Sequence, residues 1–350
     1  MSIYTESIYT ESVYTQLIYT NIDSIHMDSP TVLTIGNFDG LHRGHQALLN
    51  YQLQLAKIMA QPGRPQPRTG LVTFDPHPLA VLRPDQPLHL LTTPQERLTL
   101  ALDLGIDFGV LQTFTPEIAK LEAREFMRLL QQHLSMTALV VGPDFALGRN
   151  RSGDRHTLQA IGEELGYSLH IVEPVDWQGS PVRSSIVRQT LQQGNVTEAA
   201  ELLGRYYHLE GNVDLGDQRG RQIGIPTANL GVRPGKLLPA NGVYATYARP
   251  VDVAGSPIGA HIYMSVTNLG VRPTVDGIHH RIETHLLDFP PAGETGDLYG
   301  QRLRVEFVAR LRDEQRFANL AALVAQIQTD IEQARQIFAN PPGFRTTEFL

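Results

Sequence analysis

The stretch TVLTIGNFDGLHRGHQALL, residues 31–49, decides how the first half of the chain is read. Thr31 to Ile35 form an unbroken apolar and β-branched run, the pattern of a strand buried on both faces. A Gly-Asn-Phe-Asp-Gly turn follows, and from about residue 45 the periodicity becomes helical. In an α/β sheet such a turn sets the next helix N-terminus at the carboxyl edge of the strands, where these folds bind ligands. Gly36 and Gly40 permit tight backbone geometry there, and Gly44 lets a phosphate approach the helix start, whose free N–H groups and positive dipole end favour anions. His42 and His45, three apart, share one side of that first turn and can donate N–H bonds to polyphosphate oxygens without carrying permanent charge. The turn is neither GxxxxGK[ST] nor GxGxxG. Taken alone, the histidine pair equally suits surface residues of a helix start or half of a metal site.

Outward from this stretch, short apolar runs alternate with helical segments. Strands are expected at 32–36, 69–74, 108–114, 137–142 and 168–175, with helices around 45–60, 94–104, 122–133 and 155–165. That alternation implies a parallel, doubly wound sheet, a Rossmann-like α/β domain over residues 30–190. A helical linker is expected over 191–206. Beyond it, short alternating runs separated by glycine and proline turns suggest an antiparallel β-barrel or sandwich over 207–338. An amphipathic C-terminal helix closes that domain, with Leu320, Leu323, Ile327 and Ile331 on one face, and residues 339–350 form a tail. At the other end, Ile/Val-Tyr-Thr recurs every five residues from Ile3 to Ile18. Five matches neither the strand nor the helix period, so residues 1–29 are expected to be a disordered or loosely attached tail.

Composition narrows the function classes. At 350 residues two domains are expected, and 41% hydrophobic with 19% charged residues lets each bury a core. No window resembles a membrane span or a secretory signal, which points to the cytoplasm. The absence of cysteine removes disulfides, thiolate zinc sites and cysteine nucleophiles. A net charge of -7 argues against nucleic acid as a partner. An anionic substrate must then be held locally, by helix N-termini, a few arginines or a cation.

GNFDGLHRGH after a first strand resembles the signature of the nucleotidylyltransferase superfamily, and with TFDPHP at 73–78 it most resembles the prokaryotic bifunctional riboflavin kinase/FMN adenylyltransferase family. The resemblance implies that Gly36, Phe38, Gly44, His42 and His45 bind ATP, the histidines stabilising the pentacoordinate α-phosphorus as catalytic groups. VGPDFALGRNRSGD, 141–154, and PVRSSIVRQTLQQG, 181–194, resemble later elements of the family. They imply flavin binding by Asp144, with Phe74 as a flavin contact or a buried strand aromatic, and ATP-phosphate binding by Ser184, Ser185 and Arg188. Arg183 and Leu147 depart from the family pattern, which usually has serine and phenylalanine there. Adenylyl transfer to an already anionic phosphate requires no general base.

In the second half, GDQRGRQIGIPTANLGV, 216–232, is a glycine loop before a strand, close to the riboflavin kinase signature. The likeness implies ATP binding at Gly220, Arg221 and Gly224, and Mg²⁺ held by Thr227 and Asn229, whose hard oxygens suit that ion. RIETHLLDF places Glu283 at the family's catalytic glutamate. Here a base is required, since the ribityl 5′-hydroxyl is neutral before attack. The whole implies an enzyme using riboflavin, FMN and ATP as substrates with Mg²⁺ at both sites. The rival readings are an enzyme retaining one activity and a non-catalytic flavin-binding protein.

Overall fold

Strand β2 (Thr31–Ile35) is buried along its whole length, as its unbroken apolar run requires. Around it the computed structural model describes residues 17–215, 220, 223–253, 255–274, 277–290 and 298–342, with the backbone alone described at 272–274 and 277–279. The chain divides into two units: Met1–Asn37 with Leu49–Leu82 and Pro94–Val172, and Phe38–Leu48 with Arg83–Thr93 and Glu173–Leu350.

The first unit is a parallel sheet in the order β1-β4-β3-β2-β5-β6, comprising β1 (Ile18–Thr20), β2, β3 (Arg68–Asp75), β4 (Phe108–Thr113), β5 (Met136–Val141) and β6 (Ser168–Ile171). Helices α1 (Arg43–Met59), α2 (Pro78–Leu82), α3 (Pro94–Asp103), α4 (Pro116–Lys120), α5 (Ala123–Leu134) and α6 (Arg155–Leu165) alternate with the strands. Local signals set their ends. A reciprocal Glu122/Glu125 capping box starts α5, and α6 runs from an Asp154 cap to left-handed Gly166. Gly70 admits the ring of Phe108, which a Cβ would meet at 2.3 Å.

The expected tail over 1–29 is corrected from residue 17 onward. Ile18–Thr20 pair with Gly109–Leu111 at the sheet edge, and Ile22, Ile25 and Met27 are buried in the core of this unit. Each such side chain contributes roughly 1.5–3 kcal/mol relative to exposure. A pentad period has no face of its own, but an existing sheet edge supplies one. Residues 1–16 lie outside the described residues.

The second unit carries a hairpin of β7 (Asp176–Trp177) and β8 (Ser180–Pro181), helices α7 (Ser184–Gln192) and α8 (Val196–Leu203), and a closed antiparallel barrel. The barrel strands are β9 (Tyr207–Asp214), β10 (Ala228–Val232), β11 (Gly242–Val251), β12 (Tyr263–Thr274), β13 (Gly277–Leu286) and β14 (Arg302–Arg312), in the order β10-β13-β12-β11-β14-β9. Leu191, Val196, Ala199 and Leu203 share one core with Leu209, Tyr244, Val305 and Phe307, so the helical segment expected as a linker is built into the barrel's packing.

Helix α9 (Leu320–Ala339) follows the barrel, and the expected face holds at Ile331 but not at its start. Leu320 is exposed, and packing falls on Ile331, Ala334, Ile337 and Phe338. The buried anchor is Asp330, which accepts two-pronged hydrogen bonds from Arg312 on β14. Apolar periodicity could not show a polar anchor whose partner lies on another element.

Candidate active sites

The turn before α1 is held in an unusual backbone. Phe38, Gly40 and Leu41 all have positive φ, at 47°, 84° and 40°. Gly36 does not; its N–H continues the sheet by bonding the Val72 carbonyl at 3.1 Å. A non-glycine residue held in such a region costs of order 1–3 kcal/mol and persists when its surroundings over-determine it. They do so here. Leu41 N–H donates to the Phe38 carbonyl at 3.0 Å, and Gly40 N–H donates to Thr92 Oγ1 at 2.9 Å.

Asp39 is the centre of the turn. Its carboxylate, 2% exposed, accepts the N–H groups of Leu91 and Thr92 at 3.1 and 3.0 Å and pairs with Arg188 Nη2 at 2.6 Å. Its backbone carbonyl accepts the Ser184 hydroxyl at 2.8 Å. The Leu90–Leu91 segment is in turn pinned to the loop after β10, through Leu90 N–H to the Gly235 carbonyl and Lys236 Nζ to the Leu91 carbonyl, both at 2.8 Å. Asp39 therefore ties α7 and residues 90–92 to the histidine turn, a role sequence reading missed. Its one signal was an acidic residue inside a glycine turn. Asp39→Ala would strand Arg188 and two amide donors; since breaking a buried pair costs about 3–5 kcal/mol, a loss toward the lower end is expected by denaturant unfolding because Arg188 is 22% exposed.

His42 and His45 come together as their spacing foretold, with rings stacked 3.7 Å apart and the edge of Phe38 against His45 at 5.0 Å. Gly44 makes room for that stack. A Cβ there would lie 3.2 Å from the His42 ring and 3.4 Å from the Val182 carbonyl. His42 is 5% exposed, and its Nδ1 has no hydrogen-bond partner among the described residues. Burial first, then the Arg205 guanidinium, pulls its pKa down to about 4, with Asp39 opposing in part. The ring is neutral at pH 7.

This has a consequence for stability. The folded pKa lies below the ordinary value of 6.5, so the unfolded chain binds the extra proton and stability is lost as pH falls from 6.5 toward 4. The loss from His42 amounts to at most about 3 kcal/mol. Buried His208, whose pKa is lowered by burial and then by Arg304, adds in the same direction. Denaturation midpoints between pH 7 and 4.5 should fall less steeply for His42→Gln than for the parent.

Ser185 is exposed at the start of α7, while Arg188 is engaged by Asp39 and by the His89 carbonyl at 3.1 Å. Within the first unit, Phe74 is half-buried and packs edge-on to Phe114 at 5.4 Å, and Asp144 is exposed, its carbonyl accepting from Arg151 at 3.0 Å. Leu147 packs against the core of that unit.

The barrel site is a row across four strands. Asp214, Asn229, Glu283 and Asn268 stand directly opposite one another on β9, β10, β13 and β12. Opposed residues share a face. Their neighbours Ala228, Leu230, Ile282 and Thr284 are buried, which sets the row on the outer side of the barrel. Arg281, two residues along and thus on the same face, pairs with Glu283 at 2.8 Å. His285 Nδ1 donates to the Pro226 carbonyl at 2.7 Å, fixing the segment that leads into Thr227. Gly220 lies so close to the chain that a Cβ would meet the Ile225 carbonyl at 2.2 Å, and the Ile225 N–H bonds its carbonyl at 2.8 Å. Gly224 has φ 75°. Arg221, expected beside them, lies outside the described residues.

A cavity of about 660 Å³ opens beside this row, walled by Asp214, Asn229, Arg281, Lys236 and Gln192. That volume suits a nucleotide-sized ligand. Asp214, Asn268 and His285 were not singled out from sequence. Asp214 and Asn268 join the row through strand register, which residue spacing alone does not disclose.

Comparison with known proteins finds matches for both halves of the chain. A riboflavin kinase family model matches residues 203–338, and an FAD synthetase model matches residues 24–186. A bifunctional riboflavin kinase/FMN adenylyltransferase of Escherichia coli K12 is 39% identical over 309 residues, covering 88% of this chain and 92% of that protein. Its counterpart in Bacillus subtilis is 31% identical, covering 89% and 93%. A solved Streptococcus pneumoniae structure described as a macrolide-efflux protein superposes with a TM-score of 0.80 at 29% identity, covering 91% of this chain and 99% of that one. Among the described residues no helix is long and apolar enough to cross a membrane. With both domain models matched in order and relatives of this identity over most of its length, the chain belongs to the bifunctional riboflavin kinase/FMN adenylyltransferase family.

Proposed function

We propose that this enzyme phosphorylates riboflavin to FMN at the outer barrel face and adenylylates FMN to FAD at the histidine turn, using ATP in both steps. The observation that carries the reading is the opposition of Asn229 and Glu283 across β10 and β13, since it sets the amide of a cavity-wall residue beside a carboxylate. In the first reaction Glu283 takes the proton of the ribityl 5′-hydroxyl as that oxygen attacks the γ-phosphorus and ADP leaves. The Arg281 pair orients the carboxylate. Thr227 and Asn229 supply oxygen donors of the kind Mg²⁺ prefers, and the bound ion would neutralise charge on the transferring phosphoryl group. Gly220 and Gly224 would give the nucleotide a close backbone approach, with the Arg221 charge for its phosphates.

In the second reaction the FMN phosphate attacks the α-phosphorus and pyrophosphate leaves. Neutral His42 and His45, with the backbone at Phe38 and Gly44, would donate to oxygens that gain charge in the transition state, while Gly36, its N–H bonded to the Val72 carbonyl, would only leave the nucleotide room. Ser184, Ser185 and Arg188 would bind the remaining phosphates, and Phe74 and Asp144 the flavin. We assign the adenylyltransferase to residues 30–190 and the kinase to 207–338, and place the enzyme in the cytoplasm with Mg²⁺ at both sites.

Label routing tests this. With riboflavin and γ-labelled ATP, label should enter FMN and persist in FAD; with α-labelled ATP it should enter FAD only. Label from the α position in FMN, or none in FAD, would refute the scheme.

A further inference from the structure

Resting on the adenylyl-transfer reading, we infer that Arg205 is a positioning residue for that reaction, holding the Gly40 and Leu41 peptide units so that the His42 amide N–H faces away from the guanidinium as a phosphate donor. Arg205 lies between α8 and β9, where the chain enters the barrel. Its Nη2 donates to the Gly40 carbonyl at 2.7 Å, and its Nη1 donates to the carbonyls of Leu41 and Leu203 at 3.2 and 3.3 Å. Gln46 Nε2 joins the same two acceptors, Leu41 at 2.9 Å and Leu203 at 2.6 Å. Left-handed Gly204 permits this approach, since a Cβ would meet Gln46 Oε1 at 2.9 Å.

The geometry follows from the planarity of the peptide. The Leu41–His42 bond is trans, the sole cis peptide among the described residues being Asp75–Pro76. In a trans unit the C=O and N–H vectors are opposed. Fixing the Leu41 oxygen on Arg205 and Gln46 thus fixes the direction of the His42 N–H. Leu41 holds a positive φ of 40°, so its backbone would relax if the two carbonyls were released. The guanidinium reaches these carbonyls from two nitrogens of one rigid fork, whereas an ammonium offers a single compact centre, and this distinguishes arginine from lysine here. The same guanidinium also helps keep the His42 ring neutral.

The test uses the purified full chain. The parent must first make FAD from FMN and ATP; failure there overturns the adenylyl-transfer reading and this inference with it. Arg205→Met should lower kcat for FAD formation on the order of 10²-fold, with KM for FMN and the rate of riboflavin phosphorylation within about twofold of the parent. Arg205→Lys should remain about tenfold or more below the parent, because it restores charge without the fork. Parent-like FAD synthesis by Arg205→Met would overturn the inference. So would full rescue by Arg205→Lys, which would reduce the role to charge, or an equal fall in both activities, which would indicate a general folding effect. If Arg205→Met does not fold, Arg205→Lys decides alone: slow FAD with normal FMN supports the inference, and parent-like FAD overturns it.

Discussion

Glu283→Ala is expected to lower riboflavin phosphorylation by about 10²–10⁴-fold, the range a positioned general base supplies, while adenylylation of added FMN continues at the parent rate. The riboflavin hydroxyl is neutral, and the variant lacks the carboxylate proposed to take its proton. Glu283 sits on the outer barrel face with 22% of its side chain exposed, and Ile282 and Thr284 on either side carry the packing. Truncation should therefore spare the fold. Glu283→Gln keeps the shape, and would show the same kinetic loss if proton transfer is the role. Steady-state assays of each half-reaction, with circular dichroism as the check on folding, give the answer.

His45→Ala is expected to act the other way, reducing FAD formation by about 10²–10³-fold, as removal of one oxyanion donor does, and leaving FMN formation intact. The ring stacks on His42 and meets Phe38, so its loss also releases the neighbour that aligns the buried imidazole. FAD synthesis at the parent rate in this variant would remove the histidines from the mechanism.

The pairing of these two outcomes rests on features of different legibility. The parallel strands could be read from sequence because burial on both faces demands unbroken apolar runs, as at Thr31–Ile35. The histidine pair was equally legible, since spacing on a helix start fixes which side chains meet. What escaped depends on partners remote in the chain. Ile18–Thr20 form a strand only because Gly109–Leu111 offer an edge. Asp330 anchors α9 through Arg312, and Asp39 acts through Arg188 and residues 91–92. Asn268 reaches Glu283 solely by cross-strand register. Each depends on a partner from another element, which the apolar patterning of one element cannot express.

The most direct measurement of the account is a chromatographic time course of flavin products from the purified chain with riboflavin, ATP and Mg²⁺. The account predicts FMN first, then FAD growing at its expense. FMN accumulating with no FAD would contradict a working adenylyltransferase at the histidine turn, and riboflavin unchanged beside FAD made from added FMN would contradict a kinase on the barrel.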